Sequence, residues 1–239
     1  MPLVSADNLV KQYEKLTAVN GVSFTIEEGQ IFGFLGPNGA GKSTTIAMLS
    51  TYLPPTSGDA TIDGLSISRQ ADEVKKIIGV VPQDIAIYPT LTALQNLRFY
   101  GKMYGMGGAD LESRCRELLE LVELWDRRDS RVDQFSGGMK RRINMAAGLL
   151  HHPRFLLLDE PTVGVDPQSR EHIFETIFKI REAGTTILYT SHYMEEVELL
   201  CDYICIMDKG KLVAGGTLKE LLGILGEGGV IELEVGPPG

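Results

Sequence analysis

The segment Gly36-Pro37-Asn38-Gly39-Ala40-Gly41-Lys42-Ser43, with Thr44 behind it, gathers the groups that a bound polyphosphate requires. Its glycines let the backbone curl so that several N–H groups face one anion. Lys42 adds positive charge for the β- and γ-phosphates, and Ser43 offers a hydroxyl to magnesium. The run follows an apolar stretch, Gln30 to Leu35, and precedes a helical pattern, so the positive end of a helix would face the same anion. A plain glycine-rich turn would need neither the lysine nor the hydroxyl. A second signal is acidic: Phe155-Leu156-Leu157-Leu158 closes on Asp159-Glu160. That places two carboxylates at the C-terminal end of a strand, where the ligand crevices of α/β folds open. Asp159 suits magnesium, through water, and Glu160 suits polarising a water that attacks a γ-phosphate. Alone, the pair reads equally well as a surface acidic pair.

Elements that could position these residues follow from patterning. β-prone runs at Val22 to Ile26, Gln30 to Leu35 and Ala60 to Ile62, with turns at Glu28-Gly29 and Asp63-Gly64, make the N-terminal third strand-dense. From Leu91 to Leu124 apolar residues recur at helical intervals, with Leu118, Leu121, Val122 and Trp125 as one stripe, which predicts a helical lobe. Unbroken apolar runs at Phe155 to Leu158 and Thr185 to Thr190 suit strands buried on both faces of a parallel sheet. Pro167 to Ala183 lies between them as a helix, with Gly184 ending it, which makes a βαβ unit. Tyr203 to Val213 reads as a hairpin through Asp208-Lys209-Gly210, and Leu218 to Leu225 as a short helix. Gly228 to Val235 reads as a strand with nowhere to pair, expected to begin a C-terminal extension.

The chain has 239 residues, 43% hydrophobic and 23% charged, which is ordinary for one globular domain. Twenty-three Lys and Arg against 32 Asp and Glu give a net charge of -9, which disfavours a protein that grips nucleic acid. The basic run Lys140-Arg141-Arg142 is expected to form a solvated helix face. Cys115, Cys201 and Cys205 are odd in number and lack zinc-site spacing, so they read as reduced, buried, small apolar side chains. Met1 to Lys11 carries no basic region followed by an apolar core, and no apolar stretch approaches the ~20 residues that span a bilayer. A cytoplasmic chain is expected.

With these motifs in place, residues 3 to 220 resemble the nucleotide-binding subunit of the ATP-binding cassette family. Phe135-Ser136-Gly137-Gly138-Met139 is similar to the family signature, which binds the γ-phosphate of ATP held by the opposite protomer. Gln83 in Val80-Val81-Pro82-Gln83 matches the family glutamine that contacts magnesium. His192 matches the histidine that bonds the γ-phosphate and orients the lytic water against Glu160, and Tyr13 the aromatic that stacks on adenine. Val163-Gly164-Val165-Asp166 matches the loop that crosses the dimer interface. Two departures stand out: Met139 replaces a glutamine, and Val163 lacks a hydroxyl often found there. Taken singly, Gln83 is uninformative and His192 or Tyr13 would pass for structural residues.

The resemblance implies an α/β fold, a P-loop NTPase (RecA-like) core with an N-terminal antiparallel β subdomain and an inserted α-helical subdomain. Residues 1–85 and 154–220 would form the core lobe, 86–153 the helical lobe with the signature, and 221–239 the start of an extension. It implies ATP and Mg2+ as cofactors, with Ser43, Gln83 and Asp159 as metal contacts and Glu160, His192, Gln83 and Lys42 as catalytic groups. It also implies a head-to-tail homodimer sandwiching two ATP between Gly36 to Thr44 of one chain and Ser136 to Gly138 of the other. The implied partner is a separate integral membrane permease, which would hold the chain at the inner face of the membrane. Ile85 to Pro89 and Phe99-Tyr100 lie where family members receive that permease. The texture of Phe32 to Gly39 and Ser136 to Arg142 resembles the drug-resistance and sodium-efflux exporters. The rival is a soluble mechanical cassette ATPase acting on ribosomes or DNA, disfavoured by a single cassette without a coiled-coil insertion. A nucleotide switch with negligible turnover is a third reading.

Overall fold

The computed structural model describes residues 2–225. Contacts divide the chain into two compact units, one of residues up to 75 and from 186 onward, the other of residues 76–185. The first unit opens with strands β1 (Val4–Tyr13) and β2 (Leu16–Ile26), an antiparallel hairpin pairing Val4 with Ile26 and Tyr13 with Leu16. β3 (Ile31–Leu35) is buried at every residue, as expected of a strand covered on both faces. It runs into the glycine loop and helix α1 (Lys42–Leu49), which buries Ile46, Met48 and Leu49. β4 (Ser57–Ile62) and the short β5 (Leu65–Ser66) complete a sheet in the order β2-β1-β4-β5. Helix α2 (Ala71–Ile77) follows.

The second unit holds the parallel pair β6 (Ile78–Val81) and β7 (Phe155–Asp159), with Val81 beside Leu158. Between them come α3 (Ala93–Met103), α4 (Gly108–Leu121) and α5 (Gly137–Gly148). A capping box of Thr92 and Gln95 starts α3: Gln95 N–H donates to Thr92 Oγ1 at 3.1 Å and Thr92 N–H to Gln95 Oε1 at 2.9 Å. The predicted stripe through Trp125 is not one stripe. α4 ends at Leu121, Glu123 turns the chain at a φ of 56°, and Trp125 starts a separate short turn with Arg116 and Arg128 over its ring. Leu118 and Val122 are buried with Leu111, Cys115 and Leu119 instead. α6 (Pro167–Glu182) closes the unit, with proline in its first turn and the chain reversing at Gly184, where φ is 94°.

The chain returns to the first unit with β8 (Thr186–Ser191), α7 (Met194–Leu200), β9 (Tyr203–Asp208), β10 (Lys211–Gly216) and α8 (Leu218–Leu225). β3 lies between β8 and β9, parallel to both, while β10 is antiparallel to β9 through the Lys209-Gly210 turn. Phe24, Phe32, Phe34 and Tyr203 form one aromatic cluster in this unit, with centroids 5.1 to 5.5 Å apart. The strand expected within Gly228 to Val235 lies outside the described residues.

Candidate functional site

Strand register brings the chemistry-bearing residues to strand ends. In the first unit β3 and β8 run parallel with Leu35 beside Ser191, so the glycine loop and His192 leave the same end of adjacent strands. Gly36 N–H donates to Ser191 O at 3.3 Å across that junction. A side chain at Gly36 would run into Met207 O, and one at Gly41 into Ala18 O, so both positions need glycine for close backbone approach. Gly39 and Gly41 also take φ values of 79° and 107°, in the left-handed region. Gly41 precedes α1 without any side-chain cap, which leaves the helix N–H groups to other acceptors.

Lys42 is buried, at 4% exposure, and its ammonium donates to Gly36 O at 2.7 Å and Pro37 O at 3.1 Å. The loop thus wraps its own cation with carbonyls. Asn38, Gly39 and Ser43 are exposed, and Thr44 half so. Further along the same unit, β2 and the 209–210 turn brace the loop: Gly210 N–H donates to Ala40 O at 2.9 Å, and Asn20 N–H to Gly210 O at 2.8 Å. Tyr13 shows an exposed ring at the end of the β1–β2 hairpin, with Lys11 Nζ 5.5 Å from its centroid.

His192 is half-buried, its ring 4.0 Å from that of Tyr193. The turn that carries it is fixed by Glu196, which is 2% exposed and accepts from Tyr189 Oη at 2.8 Å and Ser191 Oγ at 2.7 Å. Ser191 Oγ in turn accepts from Tyr193 N–H at 3.0 Å. Sequence reasoning missed Glu196. Its only signal was an acidic residue one helical turn beyond a candidate histidine.

In the second unit the same arrangement recurs: Val81 pairs with Leu158, so the Gln83 segment and the acidic pair leave one end of adjacent strands. Asp159 and Glu160 are buried, at 7% and 5% exposure, which removes the reading as a surface acidic pair. Glu160 takes a φ of 45°, a conformation that non-glycine residues adopt rarely and at a cost. Val163 N–H donates to Glu160 O at 3.3 Å and Val165 N–H to Thr162 O at 3.1 Å, folding a tight loop up to Asp166. Asp166 caps α6 through a 2.9 Å bond from Ser169 N–H, and that bond holds its carboxyl below the usual range.

Ser136 caps α5, accepting from Met139 N–H at 3.2 Å, and together with Gly137 it is exposed. Gly138 is buried, and a side chain there would overlap Ser169 on α6. Gln83 is exposed. Its backbone carbonyl accepts from Arg141 Nη1 at 2.6 Å. The solvated face expected for Lys140-Arg141-Arg142 is therefore incorrect. Arg141 is 5% exposed, and burial pushes its pKa down. Arg142 donates to Val122 O at 2.8 Å, at the end of α4. Both guanidiniums reach inward because backbone carbonyls there have no helical partner. Cys115, Cys201 and Cys205 are free thiols; Cys115 and Cys205 are buried as expected, whereas Cys201 is half-buried.

The family profile described as "ABC transporter" matches residues 19–163. The chain is 52% identical over 233 residues to the linearmycin resistance ATP-binding protein LnrL of Bacillus subtilis (strain 168), covering 98% of this chain and 75% of that protein. It is 41% identical over 221 residues to the Nod factor export ATP-binding protein I of Ralstonia nicotianae, covering 92% and 69%. Among solved structures, the dimeric post-hydrolysis state of the ATP-binding cassette MJ0796 with ADP and Pi superposes with a TM-score of 0.80 at 28% identity, over 90% of this chain and 98% of that one.

Proposed function

The chain belongs to the ABC transporter family as an ATP-binding, ATP-hydrolysing subunit, and from that premise we propose that it powers export through a separate membrane permease. The observation that carries the direction is the 52% identity, over 98% of the chain, to a protein named for linearmycin resistance, joined by a relative named for Nod factor export. No helix among the described residues is long and apolar enough to cross a membrane, and the substrate path would lie in the separate permease. Its docking surface would be the cluster of Tyr88, Phe99 and Tyr100, with Tyr88 and Phe99 partly exposed and their rings 4.8 Å apart.

Lys42 would release the loop carbonyls and take up the β- and γ-phosphates, with the N–H groups of residues 36–44 around them. Ser43, Gln83 and Asp159 offer a hydroxyl, a carboxamide and a carboxylate, an all-oxygen set that fits magnesium. Magnesium there would neutralise charge developing on the phosphates. Glu160 would accept the proton of the attacking water, and His192 would orient that water and the γ-phosphate. Tyr13 would stack on adenine. The exposed start of α5, Ser136 to Gly138, would present its hydroxyl and N–H groups to ATP held by a second copy, and Asp166 would lie along the same dimer interface.

Tagged Glu160→Gln protein, recovered from gently extracted membranes with Mg-ATP present, tests the transporter reading. A stoichiometric multi-span membrane protein in the eluate is expected. Recovery of ribosomal or DNA-bound partners without one would contradict it.

A further inference from the structure

Residues 82–86 form neither helix nor strand, yet several of their backbone groups are held by side chains of α5. Arg141 Nη1 donates to Gln83 O at 2.6 Å and to Pro82 O at 3.1 Å. One turn later, Asn144 Oδ1 accepts from Ala86 N–H at 3.1 Å, and its Nδ2 donates to Pro82 O at 3.4 Å. Both side chains are buried, at 5% and 3% exposure. From the other side Tyr100 Oη donates to Ala86 O. Two buried residues on one helix face thus grip a segment whose own backbone bonding is sparse, while the Gln83 residue stays exposed.

Arg141 is a costly way to brace a loop. Burial disfavours its charge, and its Nε–H has no hydrogen-bond partner among the described residues. The charges of Asp84 and Asp159 act in the opposite sense and offset part of that penalty. A neutral side chain of similar length would fill the same space without that penalty. What the guanidinium supplies is a cationic nitrogen, Nη1, that donates to two adjacent carbonyls, Pro82 O and Gln83 O, from the helix whose first turn is Ser136-Gly137-Gly138.

We propose that Arg141, assisted by Asn144, is a positioning residue of the ATPase: it locks the Gln83 backbone to the helix that begins at Ser136, so that the two move as one body. The proposal rests on the reading of Gln83 as a magnesium contact. Arg141 touches no substrate and acts through Gln83.

Steady-state ATP hydrolysis by the full chain at varied Mg2+ and ATP tests it, for wild type, Arg141→Met, Arg141→Lys, Gln83→Ala and the Arg141→Met, Gln83→Ala double variant. Arg141→Met is expected to lower kcat about tenfold while KM for ATP changes less than about twofold. Arg141→Lys, which can still donate to both carbonyls, recovers most of the rate. The double variant loses no more than Gln83→Ala alone, because the arginine has nothing left to position. Losses that multiply in the double variant overturn the proposal and leave the Gln83 reading intact. An unchanged rate in Gln83→Ala overturns both. If Arg141→Met fails to fold, Asn144→Leu takes its place, since it breaks only the bonds to Ala86 and Pro82. Combined with Gln83→Ala, it supports the proposal by adding no further loss and overturns it if the losses multiply.

Discussion

At the scale of single residues, the proposed roles of Lys42 and Glu160 are separable. Lys42 is the buried cation of the glycine loop, bonded to two loop carbonyls, so Lys42→Ala removes the charge whose carbonyl partners a polyphosphate would replace. Nucleotide binding, followed by a fluorescent ATP analogue, is expected to fall below detection. Glu160→Gln keeps shape and polarity and loses only basicity, so binding persists and phosphate release stops; normal release would remove Glu160 as the general base. The left-handed backbone of Glu160 agrees with a residue kept for its chemistry, since strain of this kind gathers at functional sites. The three thiols lie at the other extreme. Burial pushes Cys115 up to about 11 and Cys205 up to about 12, and raises Cys201 as well. The reactive form is the thiolate, so a raised pKa means slow alkylation. Iodoacetamide at pH 8 should leave all three unmodified in the folded chain and label them in guanidinium; fast labelling of the native protein would contradict their burial.

Much of this residue chemistry was legible because the loop and the acidic pair announce themselves by composition and spacing. Arg141 and Glu196 were not. Whether an arginine on a helix points to solvent or to an unpaired carbonyl depends on which loop folds beside it, and nothing within Lys140-Arg141-Arg142 encodes that loop. Glu196 is hidden for the same reason: its partners Tyr189 and Ser191 lie on a strand that only the fold brings close.

At the scale of elements, α5 depends on contacts with its neighbours in the second unit. Its buried Gly138 faces Ser169 on α6 so closely that a methyl group would overlap it. Gly138→Ala is expected to lower stability by about 1 to 3 kcal/mol through overpacking. Ser169→Gly in the same chain should return part of that loss, because the Ser169 N–H bond to Asp166 remains while the hydroxyl's bond to that carboxylate is lost. Chemical denaturation of the single and double variants reads both effects, and an unrescued double variant would mean the strain lies elsewhere. The strands β7 and β8, the helix α6 and the β9–β10 hairpin were each readable from apolar runs bounded by glycine and proline. The end of α4 was not, because the turn at Glu123 carries no glycine and the apolar spacing continues past it to Trp125.

At the scale of the whole molecule, the exposed start of α5 and the glycine loop before α1 are two helix starts on one chain, and each would offer backbone N–H groups to an anion. Family membership makes this an ATPase; the proposed cycle adds that two copies must meet head to tail for either site to work. ATP would then favour the closed pair by its differential affinity for the two states, and hydrolysis would release it. The cytoplasmic face of a membrane permease would receive that motion through the Tyr88 cluster.

Light scattering of purified Glu160→Gln, with and without saturating Mg-ATP, tests the two-copy claim most directly. The account predicts a shift to twice the chain mass on adding Mg-ATP, lost when Ser136→Arg is introduced into the same chain. A Glu160→Gln chain that binds ATP stoichiometrically and remains monomeric at every concentration tried would contradict it.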